Sequence, residues 1–338
     1  MKKKLFTVLQ YLLFLGLGIF LAWWSLKDLD HEKRMQIKNA LQHARYWLVI
    51  PVFAMLILAH LVRAVRWKLL INSLGYYPRT ENTFFSVMIG YLTNQAVPRL
   101  GEILKCTMLA RYEKVPADKL IGTIILERII DAITLLTIFA ITLAIQPSLY
   151  ADLINAFFHS PHDPHKKRIP GYIIAAIVVA LIVVCTLLWM LVRKKTFADV
   201  TALFKRIGQS VWQGISAVQH LKRRWLFLFY TICLWSLYLF AGYIGFYALE
   251  ETQQYGIHEA FAVLSAGSIG MIATPGGIGA YALLLKKTME LYGLQEGVAL
   301  AFGWILWLVD IFIVVIGGVF SFVAFPYFNK RKNISETA

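Results

Sequence analysis

The sequence predicts an all-α, polytopic membrane protein, on three observations. Hydrophobic residues make up 59% of the 338-residue chain and charged residues only 16%, against about 45–50% and about 25% in soluble proteins. Several apolar runs are long enough to cross a bilayer. Two further apolar segments are interrupted by Pro and Gly at corresponding places in the two halves of the chain. A water-soluble fold has nowhere to bury this much apolar surface.

Residues Leu5 to Leu26 follow the triplet Lys2-Lys3-Lys4 and would rise about 33 Å as a helix, enough for a hydrocarbon core of about 30 Å. The run is too long for a signal peptide and lacks a small-residue cleavage site. Trp23 and Trp24 read as interface anchors, so this is a retained first helix. Further spanning candidates are Tyr46–Ile71, Leu120–Ile145, Gly171–Val192, Trp225–Leu249 and Val298–Phe325, for about six spans. Between Arg193 and Arg224 the apolar residues Phe197, Val200, Phe204, Ile207, Val211, Ile215 and Val218 recur every three or four positions, the pattern of an interfacial amphipathic helix. The expected domain organisation is one transmembrane domain over residues 1–328 and a short polar cytoplasmic tail over 329–338.

The two interrupted segments are Thr83–Tyr112, broken at Asn94-Gln95-Ala96-Val97-Pro98-Arg99-Leu100-Gly101-Glu102, and His258–Tyr292, broken at Ala273-Thr274-Pro275-Gly276-Gly277-Ile278-Gly279. Each half is roughly 18–24 Å long as a helix, too short to span alone. Non-helical backbone at membrane depth survives only inside protein or beside a wet cavity. A spanning helix precedes and follows each segment, and paired interruptions of this kind point to a transporter's binding site. Kinked packing helices are the plainer alternative, since Gly and Pro are common in membrane helices.

The net charge is +15. Its basic residues cluster beside apolar runs, at 2–4, 166–168, 193–195, 222–224 and 330–332, which fits topology signals and anionic headgroups rather than nucleic acid. If both interrupted segments are re-entrant and the N-terminus is cytoplasmic, 19 basic residues flank the inner side and 10 the outer, as the positive-inside rule favours. The two hairpins then enter from opposite sides, giving an inverted repeat. If both segments cross fully, an N-terminus outside also satisfies the rule. The short half-helices favour re-entry, with both termini cytoplasmic.

Ionisable residues inside apolar segments face the bundle interior, pair, and mark function. Here they are Arg99 and Glu102 at the first break, Glu127, Arg128 and Asp131 in the next span, and Asp310 in the last. Glu127 and Asp131 share a helix face. A half-helix starting at a break presents free N–H groups and a positive dipole end. Gly276, Gly277 and Gly279 would admit a ligand to the backbone, and Arg99 offers bidentate phosphate recognition. The candidate binding residues are therefore Asn94, Pro98, Arg99, Gly101, Glu102, Glu127, Arg128, Asp131, Thr274, Pro275, Gly276, Gly277 and Gly279, for an anionic headgroup. A purely structural network, such as Arg99 with Glu127 or Asp131, is the alternative. Arg63, Arg66 and Lys68 read as snorkelling residues.

No cofactor, metal centre or catalytic constellation is expected. Cys106, Cys185 and Cys233 form no C-x-x-C pair and read as buried apolar side chains. The run His159, His162, His165 is interrupted by Pro161 and Pro164 and reads as a solvated loop, with weak metal binding as the alternative.

The run Arg66-Trp67, Asn94, Pro98-x-Leu-Gly-Glu102, Glu127-Arg128-x-x-Asp131 and Thr274-Pro-Gly-Gly-Ile-Gly279 resembles the lysylphosphatidylglycerol synthase transmembrane, or flippase-like, family, over about Leu5 to Phe325. The resemblance implies a bacterial-type inner-membrane protein that handles lipids. In fused members this domain moves aminoacylated phosphatidylglycerol between leaflets, while a separate soluble domain performs aminoacyl transfer. With the chain ending at Ala338, that domain is expected to be absent. Many members carry Glu three positions after the last glycine of the second motif; here Ala282 stands there. Three readings follow: a flippase or transporter for an anionic phospholipid or lipid-linked glycan, a membrane-embedded headgroup enzyme, and a non-transporting lipid-binding partner of a synthase.

Overall fold

The structure is a computed structural model that describes residues 2–27, 29–97, 100–158, 221 and 223–335. Among these residues it is helical with no strand. The chain divides into two compact units, residues 1–128 with 221–338, and residues 129–220. The expected span Gly171–Val192, the amphipathic segment up to His220 and the histidine run lie outside the described residues, as do Cys185, Pro98 and Arg99.

In the first unit α1 runs Lys2–Lys27, α2 His31–Gln42, α3 Val49–Ser73, α4 Thr80–Ala96 and α5 Leu100–Glu113. Helix α6, Ala117–Ile145, begins here and continues into the second unit, where α7 covers Leu149–Phe158. The first unit resumes with α8 Arg224–Gly245, α9 Ile257–Ala273, α10 Ala280–Leu291 and α11 Glu296–Ser335. Among the described residues four stretches are long and apolar enough to cross a membrane: Tyr46–Ser73, Ala117–Ile145, Arg224–Ala248 and Glu296–Lys330. These coincide with four of the six expected spans. A fifth expected span, Leu5–Leu26, falls on α1.

The two interrupted segments are both helix hairpins. At the first, α4 ends at Ala96 and Val97 adopts extended backbone, φ −136° and ψ 106°. The residue before a proline is pushed out of the helical region, and Pro98 follows. At the second, Thr274 before Pro275 is likewise extended, φ −135° and ψ 158°. Gly276, Gly277 and Gly279 then take φ of +60°, +70° and +70°, a region that side chains other than glycine's rarely tolerate, and α10 starts at Ala280.

Small residues let the arms of each hairpin close up. Gly90 of α4 faces Gly101 and Lys105 of α5, and Gly267 and Gly270 of α9 face Tyr281 of α10. Each hairpin is also tied across its open end. Glu113 Oε1, at the end of α5, accepts from Arg79 N at 3.0 Å and Asn82 Nδ2 at 2.6 Å, at the start of α4. Tyr255, before α9, donates its hydroxyl to Tyr292 O, after α10, at 3.2 Å.

Helix α11 orients the two hairpins. Near its start, Gly297 N donates to Gln36 Oε1 at 3.0 Å, and Glu296 pairs with Lys286 of α10, so this end sits with the open end of the second hairpin. Near its far end, the Asn329 and Asn82 amides exchange hydrogen bonds of 2.9 and 3.0 Å, so that end sits with the open end of the first. Between Gly297 and Asn329 the helix rises about 48 Å. Along the middle, Trp307 Nε1 donates to Gly276 O at 2.8 Å, and Gly318 packs against Leu92. The hairpins therefore point at each other along α11, and their tips touch where the Gln95 side chain lies on Gly276.

Apolar packing fixes this arrangement. Helix α3 packs along α8 through Ala59, Val62 and Leu234, and Val52 and Leu56 meet Ala241 and Ile313. Around the second hairpin, Phe246 and Phe302 stack with ring centroids 5.3 Å apart. Around the first, Trp67, Ile71, Val87, Cys106 and Leu109 form one core with Leu120 and Ile124. In the second unit, Leu149 and Leu153 are buried and Tyr150 meets Phe139 edge to face at 6.2 Å.

Because a methyl group at Gly101 would overlap Gly90 O and press within 2.6 Å of Asn94, Gly101→Ala is expected to wedge the first hairpin and cost about 1–3 kcal/mol. Gly122→Ala, where nothing lies within 4 Å, serves as the control. Thermal unfolding in detergent should show a lower midpoint for the first variant only.

Candidate functional site

The first hairpin carries a buried charge cluster built from three elements of the first unit. Glu127 of α6 is 1% exposed in its side chain. Its Oε2 lies 2.9 Å from Lys105 Nζ of α5, and its Oε1 lies 3.3 Å from Arg66 Nη2 and 3.5 Å from Arg63 Nη1 of α3. Three cations thus converge on one carboxylate. Charged groups held away from water cost several kcal/mol each unless paired and hydrogen-bonded, so the one carboxylate offsets only part of the cost of the three cations.

Neighbouring groups complete the cage. Arg66 Nη1 donates to Thr231 Oγ1 of α8 at 3.4 Å, and its guanidinium faces the Phe227 ring at 5.7 Å. Lys105 Nζ lies 4.1 Å from the centroid of Trp67, and Trp67 Nε1 donates to Thr123 Oγ1 at 2.9 Å. Arg63 lies 5.7 Å from the Tyr91 ring, which also meets His60 at 5.0 Å. Cation–aromatic contacts of this kind gain strength as water is excluded. Both ring nitrogens of buried His60 lack a hydrogen-bond partner among the described residues.

The cluster lies about one and a half turns behind the tip of the first hairpin. At the tip, Asn94 Oδ1 accepts from Gly101 N at 2.8 Å, satisfying an N–H freed at the start of α5. Glu102 Oε1 pairs with Arg128 Nη2 at 3.2 Å, while its buried Oε2 has no partner among the described residues. At the second tip, Thr274 donates its hydroxyl to Ile278 O at 2.9 Å. Gly276 is filled by Gln95, Gly277 by Met271 and Tyr281, and Gly279 by the backbone of α1 at Gly18 and Ala22. The close approach these glycines permit is thus made by the protein's own segments.

Of the residues singled out from sequence, Asn94, Gly101, Glu102, Glu127 and Arg128 gather at the first hairpin, and Thr274, Pro275, Gly276, Gly277 and Gly279 form the second tip. Pro98 and Arg99 lie outside the described residues. Asp131 belongs to the second unit and is half-buried there. The alternative of a structural pair between Arg99 and Glu127 or Asp131 falls on a residue outside the described ones; the described cations around Glu127 are Arg63, Arg66 and Lys105. The snorkelling reading of Arg63 and Arg66 is corrected: Arg66 is 0% exposed and Arg63 is buried. They are three apart on the face of α3 that also buries Ala59, Val62 and Leu70, so they point into the bundle. Lys105 and His60 were missed. Lys105 had a visible signal, as a lone cation inside the apolar half-helix Ile103-Leu104-Lys105-Cys106.

Long apolar helices, paired Pro-broken hairpins and a buried ion cluster define a multi-pass helical membrane protein. The chain belongs to the family described as lysylphosphatidylglycerol synthase TM region, which matches residues 8–318. It is similar to a UPF0104 membrane protein of Methanocaldococcus jannaschii, 31% identical over 86 residues, covering 25% of this chain and 26% of that protein. The chain thus aligns with about a quarter of that relative's length. No solved structure matches.

Removing the hub carboxylate leaves three cations facing one another in the core. Glu127→Gln is expected to destabilise the protein by about 3–5 kcal/mol, and adding Lys105→Gln should recover part of that loss. Denaturant titration of the purified variants measures both. Arg128→Gln, at the half-exposed tip pair, should unfold close to wild type.

Proposed function

We propose that this protein moves a lipid with a phosphate-bearing headgroup, an anionic phospholipid or a lipid-linked glycan, between leaflets of a bacterial-type inner membrane. The observation that carries the reading is the meeting of two broken hairpin tips beside a caged cluster of cations. Opposed half-helices place N–H groups and positive dipole ends at one level. The half-exposed Arg128 guanidinium, 3.2 Å from Glu102, is the described group there that could take up a phosphate. Membership of a family described by a lysylphosphatidylglycerol synthase supports a lipid as the substrate class.

In this reading the two hairpins are re-entrant and form an inverted repeat: α3, first hairpin, α6, then α8, second hairpin, α11. The ties at Glu113 and at Tyr255 support it, because each returns the chain to the side from which it entered. The opposite anchorage of the hairpins on α11 supports entry from opposite faces. With the basic flanks of the first hairpin, Arg79, Arg111, Lys114 and Lys119, on the cytoplasmic side, both chain termini are cytoplasmic as well.

Topology is checked by single cysteines in intact cells. Cysteines at Tyr77 and Lys114 should label from the cytoplasmic side, and cysteines at Gln253 and Gly293 from the other. Labelling of Tyr77 and Lys114 from opposite sides would remove re-entry. Function is checked in vesicles carrying fluorescent phosphatidylglycerol or a fluorescent polyprenyl-phosphate sugar, with chemical quenching of the outer leaflet. Wild type should render the inner-leaflet pool of one of them quenchable, and folded Arg128→Gln should do so at least tenfold more slowly. Protection of both inner pools in wild-type vesicles would refute the transport reading.

A further inference from the structure

Away from the hairpin tips, α2 carries a second binding surface. The helix lies between the end of α1 and the start of α3. Its flanks carry exposed aromatic rings: Trp23 and Trp24, each within cation–π distance of Lys27 Nζ at 5.7 and 5.8 Å, on one side, and Tyr46 and Trp47, 61% and 65% exposed, on the other. Such rings at helix ends mark the polar boundary of a bilayer, so α2 lies at headgroup depth. One face of α2 docks on α11 through buried Ala40, Gln36 and the Lys33–Glu296 pair at 3.0 Å.

The other face is a shallow, open groove with half-buried Leu29, Ile37 and Leu41 on its floor and exposed Arg34, Lys38 and Tyr46 at its edge. Arg34 and Lys38 are one turn apart and so lie on one side, roughly 6 Å from each other. Arg34 Nε donates to Leu29 O at 3.1 Å, which ties the guanidinium to the edge of the groove through Nε. Two acids of this segment, Asp30 and Glu32, are engaged elsewhere, and Asp28 lies outside the described residues. Asp30 caps α2 by accepting from Lys33 N at 2.8 Å, and Glu32 accepts from Gln36 Nε2 at 3.4 Å. Among the described residues no carboxylate forms a salt bridge with Arg34 or Lys38.

We propose that this groove holds an anionic phospholipid from the leaflet at the α2 side, its phosphate between Arg34 and Lys38. Two cations one helical turn apart match a phosphodiester. The apolar floor, and Ile50 standing 72% exposed one turn beyond Tyr46, match the first methylenes of an acyl chain. A free phosphate would leave that floor uncovered, so the complementarity selects a lipid. The site is separate from the Glu127 cluster and does not depend on the transport reading.

The test is native mass spectrometry of the delipidated full chain titrated with phosphatidylglycerol, phosphatidylcholine or glycerol 3-phosphate. One phosphatidylglycerol should bind more tightly than phosphatidylcholine. Arg34→Gln with Lys38→Gln should weaken that binding about thirtyfold, or about 2 kcal/mol. The charge-matched control Arg111→Gln with Lys114→Gln, at the open end of the first hairpin, should not. Equal retention of the two lipids, an equal loss in the control, or displacement of the lipid by glycerol 3-phosphate would each overturn the assignment. Because only bound lipid is counted, these outcomes are independent of whether any lipid crosses the bilayer.

Discussion

A helix broken inside a packed apolar bundle leaves backbone N–H and C=O groups with no helical partner, and the rest of this structure depends on how they are satisfied. At the first break the Asn94 side chain takes the Gly101 N–H. At the second, the Trp307 indole takes the Gly276 carbonyl and the Thr274 hydroxyl takes that of Ile278. Asn94 and Trp307 stand on helices packed by apolar contacts, and Thr274 stands in the second break itself. An unsatisfied group in an apolar setting costs several kcal/mol. The two breaks are therefore affordable only with α11 running past the second and the arms of the first pressed together through Gly90 and Gly101.

The ion cluster follows a related logic with a different outcome. Buried ion pairs are often no more stabilising than apolar packing of the same volume. Arg63, Arg66, Lys105 and Glu127 instead specify geometry: α3, α5 and α6 must each present a side chain to one carboxylate, and the aromatic faces of Trp67, Tyr91 and Phe227 line the same cage. The cluster thus ties the first hairpin to α3 through Arg63, Arg66 and Lys105 on one carboxylate.

Much of the architecture was legible in the sequence because its signals are local. Val97-Pro98 and Thr274-Pro275 end helices by sterics alone, and runs such as Val49–Ser73 are apolar over the length of a bilayer. The partners across the fold were less legible. Arg63 and Arg66 sit near the end of an apolar run, where a snorkelling side chain and a buried one have the same local pattern; only the Glu127 carboxylate, 61 residues further than Arg66, separates them. The glycines of the second motif read as openings for a ligand, yet sequence does not say that Gln95 and α1 approach them first. The meeting of the hairpin tips, by contrast, follows from the sequence expectation of two segments entering from opposite sides and ending at one level.

Helix α11 acts as a rotational gauge as well as a support. Its residues turn by about 100° each, and four of its contacts must face set directions: Gly297 toward Gln36, Trp307 toward Gly276, Gly318 toward Leu92, and Asn329 toward Asn82. Inserting or deleting one residue between Trp307 and Gly318 would rotate one hairpin's attachments about a quarter turn out of phase with the other's, with the helix itself intact and its apolar length nearly unchanged. Hydrophobic substitutions along α11 are open to drift, whereas its residue count is set by the angle between its two ends.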